Sequence, residues 1–239
     1  MGKDLNPVES TSKEQSDELP AGWIAHLKAH WALWNIARRY RKKAKETSDI
    51  NEHLPILRKL SRSCSSVCEI GVRRCVSSWA FLQGLAESEA GKKKLLCIDI
   101  NPADVSDLER WGRNLIPPVR TSRVVADSRK VVLPHEFDLL FIDTLHVYGQ
   151  LKAELWAHER RIRRFIVLHD TEIDRYKGEV LRMGWDARKM AQDTGMKEEE
   201  ISEGMGRAIR EFLAKFPEWV QQSHFANNNG LTVLARVQK

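Results

Sequence analysis

Asp143, His146 and Asp170 are the residues of this chain whose types and spacing suit cation binding and proton transfer. Asp143 closes the apolar run Phe137-Asp138-Leu139-Leu140-Phe141-Ile142-Asp143, and Asp170 closes Phe165-Ile166-Val167-Leu168-His169-Asp170. Short apolar runs bounded by polar residues read as buried strands, so each acid stands at a strand's carboxyl end. Two carboxylates ending neighbouring strands can share one hard divalent cation, magnesium or manganese, with water and substrate oxygens filling its other positions. His169 is a third candidate ligand, and an imidazole there moves the preference toward manganese, iron or zinc. His146 lies three residues past Asp143, and an imidazole of ordinary pKa, about 6.5, accepts a proton at neutral pH, which makes it the candidate general base. His53 is a second candidate base if the loop before the first strand folds over the site, and Tyr148 is expected to shape the pocket.

Three further apolar segments also run into acids: Val67-Cys68-Glu69, Leu95-Leu96-Cys97-Ile98-Asp99 and Val124-Val125-Ala126-Asp127. Helical patterns separate them, at His53–Leu60, Val76–Glu87, Ala103–Asn114 and Gly149–Arg161. Strands alternating with helices predict a parallel sheet with right-handed crossovers. The expected fold class is therefore α/β, a doubly wound, mostly parallel Rossmann-like sheet. Ligands of such sheets bind in the crevice outside the carboxyl ends of the strands, where the five terminal acids converge. Residues 171–203 break the rhythm and read as an insertion over that crevice, before a helix at Met205–Lys215. Trp219–Phe225 and Leu231–Val237, joined by Asn227-Asn228-Asn229-Gly230, predict an antiparallel C-terminal strand pair.

The three expected parts are a disordered lead over residues 1–20, a basic and aromatic helix over 21–47, and the α/β domain over 48–239, with its insertion at about 171–203. In the helix, Trp23, Leu27, Trp31 and Trp34 recur at helical spacing, which favours packing on the domain or on a second copy, a homo-oligomer, over a membrane-surface role. No apolar run reaches the roughly 18 residues that would span a bilayer. The first 21 residues lack the apolar core of a secretory signal, so a cytoplasmic location is expected. Cys64, Cys68, Cys75 and Cys97 lack the paired spacing of a zinc site and are expected to be buried thiols. The net charge of +6 gathers in Arg38–Lys43, Lys92–Lys94 and Arg160–Arg164, clusters that suit solvated faces better than a nucleic-acid surface.

A dinucleotide would need G-x-G-x-x-G after the first strand, to lay its pyrophosphate on the following helix. Here Glu69-Ile70-Gly71-Val72-Arg73-Arg74-Cys75 offers one glycine. A cofactor without phosphates but with an amino group, a ribose and a sulfonium suits an acidic rim better, and S-adenosylmethionine has those parts. The E-x-G turn, the acid after the second strand and the fifth-strand ending resemble the class I S-adenosylmethionine-dependent methyltransferases. Asp143-Thr144-Leu145-His146-Val147-Tyr148, followed by His169-Asp170-Thr171, resembles more narrowly the metal-dependent sugar and small-molecule O-methyltransferases. Ser48-Asp49-Ile50-Asn51-Glu52-His53-Leu54-Pro55, Gly184-Trp185-Asp186-Ala187 and Asn227-Asn228-Asn229-Gly230-Leu231 are similar to uncharacterised bacterial and large-virus proteins of that class, often associated with glycan synthesis.

That resemblance covers roughly residues 48–237. It implies that Glu69 and Gly71 hold the cofactor's amino-acid end, Asp99 with Ile100 its ribose, and Asp127 with Ser128 its adenine. It implies Asp143, His169 and Asp170 as metal ligands, Asp143 and His146 as catalytic, and a sugar, glycan or small-molecule hydroxyl as acceptor. Arg73-Arg74-Cys75 departs from the family, which keeps further glycines there. Two other readings compete. One is an RNA methyltransferase or nucleic-acid-binding protein using the basic clusters; the other is a catalytically inactive cofactor-binding scaffold.

Overall fold

Alternation along the strands decides the architecture. Val67, Leu95, Leu139, Phe141 and Val167 join one apolar cluster, while Cys68, Leu96, Ile98, Leu140 and Ile166 join another on the opposite face. Strands that are apolar on both faces must be covered on both, and helices do this here. The computed structural model describes residues 21–237. Its strands are β1 (Ser66–Ile70), β2 (Lys93–Asp99), β3 (Val119–Val125), β4 (Phe137–Ile142), β5 (Ile162–His169), β6 (Trp219–Phe225) and β7 (Leu231–Arg236). They form one sheet in the order β3-β2-β1-β4-β5-β7-β6. β1 to β5 pair in parallel, and β7 runs antiparallel between β5 and β6. Sequence order therefore reverses direction between β1 and β4, which is where a crevice opens in doubly wound sheets.

One face is covered by α1 (Ala21–Lys45), α2 (Leu54–Arg62), α3 (Val76–Glu87) and α4 (Ser106–Arg113), and the other by α5 (Tyr148–His158) and, after the insertion, a helix at Met205–Lys215. The insertion folds into three short helices, α6 (Glu179–Arg182), α7 (Ala187–Thr194) and α8 (Glu198–Ser202), and the Met205–Lys215 helix is then α9. Val180 and Ile201 of the insertion bury against Val147, so this segment has a small core of its own. All four cysteines are buried and free. Among the described residues no helix is long and apolar enough to cross a membrane.

Four local expectations are corrected. β3 ends at Val125, two residues before Asp127, because the chain turns there, with Lys130 N–H bonded to the Asp127 carbonyl at 3.0 Å. α4 starts at Ser106, not Ala103, and α5 ends at His158, with a tighter turn continuing to Arg161. The Trp stripe of α1 does not pack on the domain: Ala32, Ile36 and Tyr40 do so from another face, leaving Trp23, Trp31 and Trp34 more than half exposed. The lead expected over residues 1–20 lies outside the described residues.

Candidate active site

Gly71 fixes the floor of the crevice. Its φ is +85°, and a Cβ there would come within 1.8 Å of the Asp143 carbonyl, so the turn after β1 lies directly against the end of β4. Arg73 (φ 45°) and Cys75 (φ 57°) also hold left-handed backbone. The chain thus follows at Arg73 and Cys75 a path that glycine takes without strain, at a cost of about 1–2 kcal/mol per residue. Asp99 at the end of β2 holds this turn: its Oδ2 accepts from the backbone N–H of Val72 at 2.8 Å and of Arg73 at 3.0 Å.

Two cavities meet at Arg73 and Asp143. The first, about 290 Å³, is lined by Gly71, Asp99, Ile100, Asp127, Ser128 and Thr144, among others. The second, about 220 Å³, is walled by Lys43, Asp49, Val72, Arg74 and Ser77, so the C-terminal end of α1 forms part of it. Gly71, Asp99, Ile100, Asp127 and Ser128, expected on the cofactor, all line the first cavity. Their side chains are not all free. Asp127 is clasped by Arg129 at 2.8 and 3.0 Å, and these contacts, with its backbone bond to Arg129, hold its carboxyl down to about 2. Ser128 Oγ donates to Glu154 at 2.5 Å.

Glu69 lines neither cavity. It stands one residue before the end of β1 on the face under α3, fully buried, with Oε2 accepting from Ser78 Oγ at 2.6 Å and Oε1 from Ser77 Oγ. Burial pushes its carboxyl up to about 7, against the lowering effect of the two serines and Cys97. Glu154 on α5 is its counterpart: burial raises it to about 7, opposed by Ser128, Gln150 and Thr144.

Past Asp143, carboxylates and imidazoles interlock. His146 Nε2 lies 3.1 Å from Asp143 Oδ1, and its Nδ1 lies 3.0 Å from Asp170 Oδ2 and 3.2 Å from Glu179 Oε2. That Nδ1 is aligned for a hydrogen bond to neither, and Asp170 Oδ1 is buried without any partner. His169 Nδ1 lies 3.2 Å from Asp143 Oδ1, while its Nε2 meets the Asp49 carbonyl at 3.1 Å. With Nε2–H donating to that carbonyl and Nδ1–H to the Asp143 carboxylate, the ring carries both protons here, and Nδ1 would have to give up its own to ligate a metal. Burial alone would lower both imidazoles. Their carboxylate partners outweigh it, raising His169 to about 10 and His146 well above its ordinary range. Asp143 and Asp170 are correspondingly held below theirs, against burial. Asp170 itself sits at φ 56°, a strained conformation of the kind that clusters at functional sites.

Asp143, His169 and Asp170 present ligand atoms within 4.8 Å of one another, as do His146, Asp170 and Asp174. The donor set and the unpartnered Asp170 oxygen fit a divalent cation. Asp174 and Glu179 were not singled out by the sequence, since neither ends a strand; the insertion folds both back on His146. His53 is buried, its Nε2 against the Asn227 and Asn228 carbonyls at 2.9 and 3.2 Å, and it anchors the β6–β7 turn instead of facing a cavity. Tyr148, expected in the pocket, turns to α9, where its hydroxyl donates to Glu211 at 2.9 Å.

Residues 68–171 match the family model described as a methyltransferase domain, a span that runs from β1 through Asp170. That match takes in less than half of the chain's 239 residues, from β1 to the turn after β5, and marks this part of the doubly wound sheet as similar to a methyltransferase domain. Similar solved structures include cofactor-bound Rv0187 from MTB, at 16% identity and TM-score 0.52 over 93% of this chain and 99% of that one. Another is the O-methyltransferase from Bacillus cereus in complex with SAH, at 15% identity and TM-score 0.49 over 87% of this chain and 91% of that one. No curated protein matches the chain.

Proposed function

We propose that this chain is an S-adenosylmethionine-dependent O-methyltransferase acting on a hydroxyl of a sugar or glycan, with a divalent cation held by Asp143, His169 and Asp170. The observation that carries the reading is the buried carboxylate and imidazole cluster at the ends of β4 and β5, opening at Asp143 onto both cavities. S-adenosylmethionine supplies an already activated methyl group, so the protein's task is to position the acceptor oxygen and remove its proton. A bound divalent cation would lower the pKa of a hydroxyl it touches. In this reading Asp99 and Ile100 bound the ribose, Asp127 and Ser128 the adenine, and the turn at Gly71 the amino-acid end. His146 is the residue that would accept the proton, and a cation held by Asp143 and Asp170 would offset the carboxylate charge that raises its pKa. Glu69 acts from beneath, tying the first turn of α3 to β1.

The test is transfer of labelled methyl groups from the cofactor to sugar and glycan acceptors, with and without chelator. Transfer that chelator abolishes and manganese or magnesium restores supports the whole reading. Chelator-insensitive transfer removes the cation and leaves His146 as the positive charge resident among the carboxylates.

A further inference from the structure

Among the described residues nothing packs on the outward face of α1, and its chemistry identifies what it fits. Residues 22–28 are exposed on all sides, so the first turns of the helix project beyond the domain. Trp23, Leu27, Trp31 and Trp34 are 52–66% exposed, and the rings of Trp31 and Trp34 stack 5.2 Å apart. On the same helical face the next turns carry Arg38, Arg41, Lys42 and Lys45. The helix holds seven Lys and Arg residues in 25 positions and no acid.

We infer that α1 is an interfacial anchor that lays this Trp-rich and basic face on an anionic lipid surface. Aromatic and aliphatic side chains inserted at the headgroup boundary, with cations beside anionic headgroups, make up this binding mode. Charge complementarity selects the partner. Two copies laid parallel would bring their cations together, and the acid just past the helix, Glu46, is already paired with Lys42 and Lys43 of its own chain. A nucleic acid would satisfy the cations but leave Ile24 and Leu27 against phosphate. Residues 1–20 hold too few large apolar side chains to cover three tryptophans. The helix lies on the surface and does not cross it. Its far end, at Lys43, walls the second cavity about 18 Å along the helix from Trp31, so the anchor is continuous with the crevice.

The test uses the full chain with sedimenting unilamellar vesicles, either pure phosphatidylcholine or phosphatidylcholine with 30% phosphatidylglycerol, sedimentation velocity without lipid serving as the control for self-association. The protein should be monomeric and should pellet with the anionic vesicles but not the neutral ones. Trp23→Ser/Leu27→Ser/Trp31→Ser, at exposed positions, should keep the wild-type melting temperature and abolish pelleting. Arg38→Gln/Arg41→Gln/Lys45→Gln should lower partitioning about 100-fold, from roughly fivefold per basic residue. Failure to bind anionic vesicles overturns the inference. So does a dimer that the Trp23/Leu27/Trp31 variant dissociates, which would assign the face to a second copy. Binding to a 20-nucleotide RNA that the arginine variant loses, without vesicle binding, would assign it to nucleic acid.

Discussion

Replacing Glu69 by glutamine separates two roles for that residue. Its carboxylate is fully buried beneath α3 and lines neither cavity, and burial lifts it from 4.5 to about 7. In the unfolded chain the group ionises near its ordinary value. Between the two values the folded state binds the extra proton, so this group's stabilising contribution is complete below about 4.5 and is lost as pH rises through 7. At about 1.4 kcal/mol per pKa unit, the wild type gives up roughly 2–3 kcal/mol at this site between pH 5 and pH 8. Glu69→Gln cannot ionise and keeps hydrogen-bonding groups for Ser77 and Ser78. Its stability relative to wild type, read from urea denaturation, should therefore rise by that amount over the same interval, while affinity for S-adenosylhomocysteine changes less than threefold. A stability difference independent of pH, or one that falls toward pH 8, would mean that the carboxylate is stabilised as an anion and that the argument from burial is wrong. A large loss of cofactor affinity would return Glu69 to the binding site.

His146→Ala should lower turnover roughly 100-fold to 10,000-fold, the usual worth of a general base, and leave cofactor affinity nearly intact; full turnover in steady-state assays would pass the role to another group. Asp99→Asn should weaken S-adenosylhomocysteine binding in calorimetry by at least tenfold and change saturated turnover less, because a ribose contact is made equally before and during transfer. Gly71→Ala, at φ +85° and with the Asp143 carbonyl 1.8 Å from the new Cβ, should cost about 2–4 kcal/mol, seen as a melting temperature lower by roughly 5–15 °C.

The sheet was legible because β1, β2, β4 and the second half of β5 are apolar on both faces and run into acids, so period and punctuation agree. Asp99 and Asp143 line the crevice as their strand-end positions require, and Asp170 packs behind Asp143 against His146. Glu69 does not line the crevice, because it pairs with Cys97 and Phe141, two residues short of the level of Asp99 and Asp143, and so stays inside the sheet beneath α3. The domain half of the expectation for the α1 stripe fails, since the helix carries two apolar faces and periodicity does not tell which one meets the domain. Asp174, Glu179 and Glu154 left no signal at strand ends. Their convergence depends on how the insertion and α5 close over β4, which only long-range packing decides. Arg73 and Cys75 hid the glycine-like path of their turn, because they adopt left-handed backbone without the residue that announces it.

Anomalous diffraction at the manganese edge, from crystals grown with S-adenosylhomocysteine and manganese, tests the central claim most directly. One strong peak bonded to carboxylate oxygens of both Asp143 and Asp170, with the cofactor product lying between Asp127 and Gly71, is the predicted result. A cofactor in that crevice with no peak at the two aspartates, or with His146 still bridging them, would contradict a cation-dependent transfer.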